Sequence, residues 1–118
     1  MAKRIEAAAG RAAVAAATDP SGATAARPIL ATAVRFTLQQ LEARAPGGSV
    51  EVRVPPFGAV QCIEGTSHRR GTPPAVIETD AHTWLSLATG AVAWADAVAS
   101  GRVLASGERA NLADYLPL

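Results

Sequence analysis

The chain has 118 residues, enough for one domain, with a net charge of +1 and 49% apolar residues. No basic stretch forms the face that displaces counterions from phosphates, so nucleic acid is not expected as a partner. No apolar run approaches the roughly 20 residues that span a bilayer, and the lone Cys62 rules out an internal disulfide.

A single thiol suits a reducing compartment, and a cytoplasmic location is expected. The Ala-, Gly-, Arg- and Val-rich composition suggests a GC-rich bacterial genome. The aromatic content is small: Phe36, Phe57, Trp84, Trp94 and Tyr115. A core must therefore be built mainly from Val, Leu, Ile and Ala.

Residues 1–27 hold 12 alanines and little to anchor a core. Helix propensity predicts a helix over Ala2–Thr18, either weakly docked or a mobile arm. Glu6, Gly10 and Arg11 interrupt any signal-peptide apolar region. Asp19-Pro20-Ser21-Gly22 predicts a turn. Pro28 to Ala45 reads as the first helix of the domain proper. Proline suits the first helical turn, and Leu30, Val34, Leu38 and Leu41 recur at three- and four-residue spacing. Ala33 and Phe36 lie beside that stripe. Arg35, Gln39, Gln40 and Glu42 fall largely outside it, and Pro46-Gly47-Gly48 stops the helix.

The period then switches to two. Val50, Val52 and Val54 point one way, Glu51 and Arg53 the other, which predicts a half-buried strand. Pro55-Pro56-Phe57-Gly58 is a turn, and Ala59–Ile63 completes a hairpin. A polar loop with His68, Arg69, Arg70 and Gly71 follows. Ala75–Thr79 is a third strand, after which Thr79 or Asp80 caps a helix ending at Gly90. A second helix, Ala91–Ser100, is closed by Gly101. Arg102–Ser106 is a fourth strand, and Asn111 caps a last short helix, Leu112–Leu116.

The run Asp80-Ala-His-Thr-Trp-Leu-Ser-Leu-Ala-Thr-Gly90, followed by Ala97-Val-Ala-Ser-Gly101-Arg-Val-Leu-Ala-Ser-Gly107, resembles the C-terminal half of sterol carrier proteins. The wording Val50-Glu-Val-Arg-Val-Pro-Pro-Phe-Gly-Ala-Val-Gln-Cys-Ile-Glu64, with Arg70-Gly-Thr-Pro-Pro74, is similar to a short bacterial, actinobacterial-type branch of that family. The resemblance covers about residues 28–118, with 1–27 as an N-terminal arm. It implies an α+β fold, a sheet of four or five strands covered on one face by helices. It also implies non-enzymatic binding or transfer of a fatty-acyl, acyl-CoA or sterol-like lipid between sheet and helices, with no cofactor.

Several residue groups carry alternative expectations. Val52, Val54, Val60, Trp84, Leu85, Leu87, Trp94, Val98 and Leu104 either line an apolar pocket or pack together as core. Arg69, Arg70 and His68 either hold a carboxylate or phosphate head group or form a solvated loop. Cys62 is a nucleophile, a metal ligand with His68 and His82, or a buried structural cysteine. Glu64, Glu78 and Asp80 are acid/base candidates, Asp80 being also a helix cap. A protein-interaction or homodimerisation module with a filled core is the alternative function.

Overall fold

A computed structural model of the chain describes residues 3–19, 26–65, 75–107 and 110–118. The elements are α1 (Ala7–Ala17), α2 (Arg27–Arg44), β1 (Val50–Val54), β2 (Gly58–Cys62), β3 (Ala75–Thr79), α3 (Ala81–Thr89), α4 (Trp94–Ala99) and β4 (Val103–Ser106). The strands form one mixed sheet in the order β2-β1-β3-β4. The central pair β1–β3 is parallel and both outer pairs are antiparallel.

Alternation along β1 and β3 sorts the sheet into two faces. Val50, Val52, Val54, Ala75, Ile77 and Thr79 turn inward and are buried. Glu51, Arg53, Val76, Glu78 and Leu104 share the opposite face, since their strands pair in register. The inner face packs against Leu30, Val34, Leu38 and Leu41 of α2 and Trp84, Leu85 and Leu87 of α3. Each fully buried aliphatic side chain contributes about 1.5–3 kcal/mol to folding. The fold is thus α+β with helices over one face of a four-stranded sheet, as the sequence implies.

One polar contact lies inside this layer. Trp84 Nε1 donates to Thr37 Oγ1 at 2.8 Å, and the Thr37 hydroxyl lies 2.8 Å from the Ala33 carbonyl. Both side chains are buried. The bond fixes α3 against α2 and satisfies the indole donor, which water cannot reach.

The ends of the elements follow local chemistry. Asp80 caps α3 by accepting from the Thr83 backbone N–H at 2.8 Å. Gly90 ends α3 with φ 85, a left-handed conformation that glycine adopts without a Cβ clash. The second helix of this pair starts three residues later than the sequence suggests, because residues 90–93 are spent turning out of α3. Val92 N donates to Ser86 O at 3.1 Å, and extended Ala93 is the new N-cap. The expected last helix, Leu112–Leu116, is only a turn. Asn111 Oδ1 accepts from Ala113 N at 2.8 Å and Tyr115 N donates to Leu112 O, but Pro117 lets nothing propagate further.

At the far end of the sheet, Ile63 adopts φ 67, rare for a β-branched residue. Its N–H donates to Ala45 O at 2.6 Å, and its carbonyl accepts from Ser49 N and Ser49 Oγ. The Gly47 backbone passes so close to Ile63 that a Cβ would overlap it. These contacts join the end of α2 to the end of β2.

α1 lies on the outer side of α2. Gly10 is buried there against the Phe36 ring, leaving no room for a Cβ. Ala13, Val14 and Ala17 pack against the core cluster. The Ala-rich segment is therefore a docked helix over 7–17, shorter than the Ala2–Thr18 expected. Pro20, Ser21 and Gly22 of the expected turn lie outside the described residues.

Both the buried bond and the helix cap can be tested by substitution. Thr37→Val leaves the Trp84 N–H buried without an acceptor and should cost about 1–3 kcal/mol, seen as a lower melting temperature. Thr37→Ser keeps the hydroxyl and should recover much of that loss; a Thr37→Val protein that melts like wild type would show that the bond adds no stability. Burial disfavours the ionised Asp80 carboxylate, but hydrogen bonds from the Thr83 N–H and hydroxyl outweigh it and hold the carboxyl below its ordinary range. That stability is full above about pH 4, the unfolded value, and is lost as pH falls further. Asp80→Ala should cost about 1 kcal/mol at neutral pH, and its gap from wild type in thermal melts should narrow below pH 4.

Candidate functional site

The sheet–helix interface is filled. Val52, Val54, Trp84, Leu85 and Leu87 are fully buried within one cluster, along with Leu38, Leu41, Ile77 and Cys62. No buried side-chain nitrogen or oxygen among the described residues lacks a hydrogen bond. The other expected lining residues separate. Val60 is half-buried beside α2, and Trp94 is half-buried at the start of α4. Val98 is 41% exposed on α4, and Leu104 is 66% exposed on the uncovered sheet face. Arg69, Arg70 and His68 lie outside the described residues.

Among the clefts of the described residues, three of similar size lie around the rim of this interface. One, of 390 Å³, lies between Leu87, Val92, Trp94, Leu116 and Pro117. The C-terminal segment forms one wall, fastened by Leu118 N to Ala88 O at 2.9 Å and Arg44 Nη1 to Pro117 O at 3.3 Å. A second, also 390 Å³, lies at one end of the sheet among Pro55, Glu78, Asp80, Arg102 and Leu104. Asp80 is committed there to capping α3. Glu64 follows β2, which antiparallel pairing puts at the opposite end from Glu78 and Asp80. The three carboxylates do not form one group.

The third cleft, of 310 Å³, is the most enclosed of the three and lies between α2 and the edge strand β2. Its floor is Leu38, Phe57, Gly58 and Val60; its lip is Arg35, Gln39 and Glu42. The turn between β1 and β2, closed by Phe57 N to Val54 O at 2.9 Å, carries Phe57 toward α2. Arg35 Nε donates to Phe57 O at 2.9 Å, and the Arg27 guanidinium lies 5.4 Å from the Phe57 ring centroid. Arg35 thus borders the apolar groove, and Arg27 lies against the Phe57 ring that helps line it. Glu42 lies two turns along the helix from Arg35, about 10 Å away. Ligand sites combine an apolar lining with a few placed polar groups, and this cleft has that composition.

Of the expected lining residues, only Val60 belongs to it. Its other residues escape sequence reading for a physical reason. Arg35, Gln39 and Glu42 are polar residues on a helix flank, which read as solvated. Their role depends on where the hairpin lands. The one available signal is that Arg35, Leu38, Gln39 and Glu42 share three- and four-residue spacing, a second stripe beside the core stripe.

Cys62 is fully buried on the inner face of β2. Burial, aided by the negative charge of Glu42, pushes its thiol up to about 11. At neutral pH it is a protonated thiol, a poor nucleophile. Cys62 sits at the sheet end where β1 and β3 begin, whereas His82 follows the end of β3. No group of three or more His, Cys, Asp or Glu among the described residues is placed to hold a metal ion.

A four-stranded mixed sheet with a central parallel pair, and with the described helices on one face, is consistent with a sterol-carrier-type domain. Residues 26–118 match the family described as bacterial SCP ortholog, and the chain belongs to that family. Its α1 lies before the matched residues. No curated protein matches the chain. No helix among the described residues is long and apolar enough to cross a membrane.

The Cys62 environment can be checked directly. The folded thiol should label with iodoacetamide far more slowly at pH 8 than the urea-unfolded chain. Its raised folded value means that stability is full below about pH 8.5, the unfolded value, and declines as pH rises toward about 11. Rapid labelling of the native protein at neutral pH would contradict the burial.

Proposed function

We propose that this protein binds and transfers an apolar ligand with an anionic head, without catalysing a reaction on it, at the cleft between α2 and β2. The observation that carries this reading is the composition of that cleft. It joins an apolar floor of Leu38, Phe57 and Val60 to the Arg35 guanidinium at one end. An acyl chain covers the floor, and its carboxylate or phosphate faces Arg35 and Arg27, away from Glu42. Family membership supports a lipid-carrier role, and the protonated, buried Cys62 fits a non-catalytic one. A buried reduced thiol also suits work in the cytoplasm.

A second reading is favoured by Leu104, whose exposed side chain lies on the sheet face that none of the described helices covers. That face would then meet another copy of the chain, with no ligand involved.

Gly58 provides the test. A Cβ built on it meets Leu38 Cδ1 at 3.4 Å and Arg35 Cγ at 3.7 Å, ordinary contact distances. A Cβ is therefore accommodated there, and the rest of a Gly58→Leu side chain extends among the residues that line the cleft. Wild-type protein should take up palmitate and palmitoyl-CoA in native mass spectrometry and titration, and Gly58→Leu should bind them at least about tenfold more weakly. Arg35→Gln should weaken palmitate more than hexadecanol, which lacks the carboxylate. Equal uptake by Gly58→Leu would remove the cleft as the site. No uptake of fatty acid, acyl-CoA or sterol by wild type, with a dimer in light scattering, would replace this function by the second reading.

A further inference from the structure

Gln39 belongs to two structures at once. It forms part of the cleft lip, and its carboxamide also holds the N-terminal segment. Gln39 Oε1 accepts from Ile5 N at 2.9 Å, and Gln39 Nε2 donates to Lys3 O at 3.1 Å. A side-chain amide thus grips an extended backbone as a neighbouring strand would. One turn earlier on α2, the Phe36 ring is seated under Gly10. Phe36 is buried yet stands outside the main core cluster, so its cover comes from the N-terminal segment. Residues 3–17 are therefore a strap held at Gln39, at Phe36 and along Ala13, Val14 and Ala17, and the first of these holds is a wall of the cleft.

We propose that Gln39 couples this strap to the cleft: the docked strap holds Gln39 as a fixed wall, and filling the cleft tightens the strap. The physical reason is shared use of one side chain. While Ile5 and Lys3 occupy the carboxamide, the Gln39 stem is confined to one orientation beside Leu38 and Glu42. A group packed on that stem from the cleft side is lost whenever the strap lets go. Coupling between two sites is reciprocal, so an occupied cleft must oppose release of the strap by the same factor. The strap lies before the residues of the family match, whereas the Gln39 that holds it lies within them.

Although the proposal rests on the cleft as the ligand site, its test does not need a ligand. Gly58→Leu and, separately, Val60→Phe fill the cleft from the strand side. Amide exchange at Ile5 and Gly10, followed by NMR, reports release of the strap; the Leu85 amide reports the core. In either filled variant, Ile5 and Gly10 should exchange more slowly, by about fivefold, with Leu85 unchanged. Adding Gln39→Leu should abolish that slowing. In the reverse direction, Gly10→Val cannot seat on Phe36 and should weaken palmitate binding by a similar factor. Unchanged exchange at Ile5 and Gly10 in both filled variants would overturn the coupling, whether or not wild type binds palmitate. If the slowing occurs but wild type binds no lipid, the coupling stands and the ligand assignment falls.

Discussion

The hydrogen bond between Trp84 and Thr37 governs how the layers of this domain are arranged. It is the one buried side-chain to side-chain bond among the described residues that joins two helices. An indole buried against a sheet must find an acceptor, and here the acceptor projects from the middle of α2. Satisfying it ties α2 to α3 at one point, in register with the apolar stripe of α2 that turns toward β1. In that register Val34, Leu38 and Leu41 join Val50, Val52 and Val54 in one cluster. The other two faces of α2 are assigned by the same choice. Phe36 is turned outward toward α1, and Arg35, Gln39 and Glu42 line the flank beside β2.

A tightly filled interface has a consequence for ligand binding. Closely packed interiors leave few voids larger than a water molecule. The large Trp84 side chain occupies the space between sheet and helices, so apolar space is pushed to the periphery. It reappears where α2 overhangs the edge strand, where the C-terminal segment crosses α3 and α4, and at the end of the sheet. The first of these joins an apolar floor to Arg35, with Arg27 close by, whereas at the end of the sheet Arg102 shares its space with Glu78 and Asp80. A small domain that keeps its core closed carries its open apolar space on the edge.

Parts of this molecule are legible in the residues. β1 is readable because Val50, Val52 and Val54 alternate with Glu51 and Arg53 and each set meets a different medium. β3 and the start of α3 are readable because Asp80 supplies a cap whose partner, the Thr83 N–H, is three residues away. The end of α3 is readable because Gly90 tolerates φ 85. Signals of that kind are local. The last turn misleads for the opposite reason: Asn111 caps it well, yet Pro117 and the tether of Leu118 to Ala88 keep it from becoming a helix. Leu104 misleads too, since apolar character suggests a core position and its parity in the sheet makes it exposed.

Periodicity and capping act over a few residues, so the chain alone specifies most of the elements and the inward stripe of β1, while the wording of residues 50–64 and 80–107 carries the family resemblance. Which apolar residues make a core and which make a cleft depends on how the layers meet. Val60 carries the same kind of signal as Val54, and it differs because it lies on the edge strand, where it lines the cleft beneath α2. Gln39 shows the same limit. Its partners, Lys3 and Ile5, are 36 and 34 residues away, and nothing in its own neighbourhood distinguishes it from a solvated glutamine. Contacts across such separations exist only once the helices have been laid on the sheet, and so do the cleft and strap that depend on them.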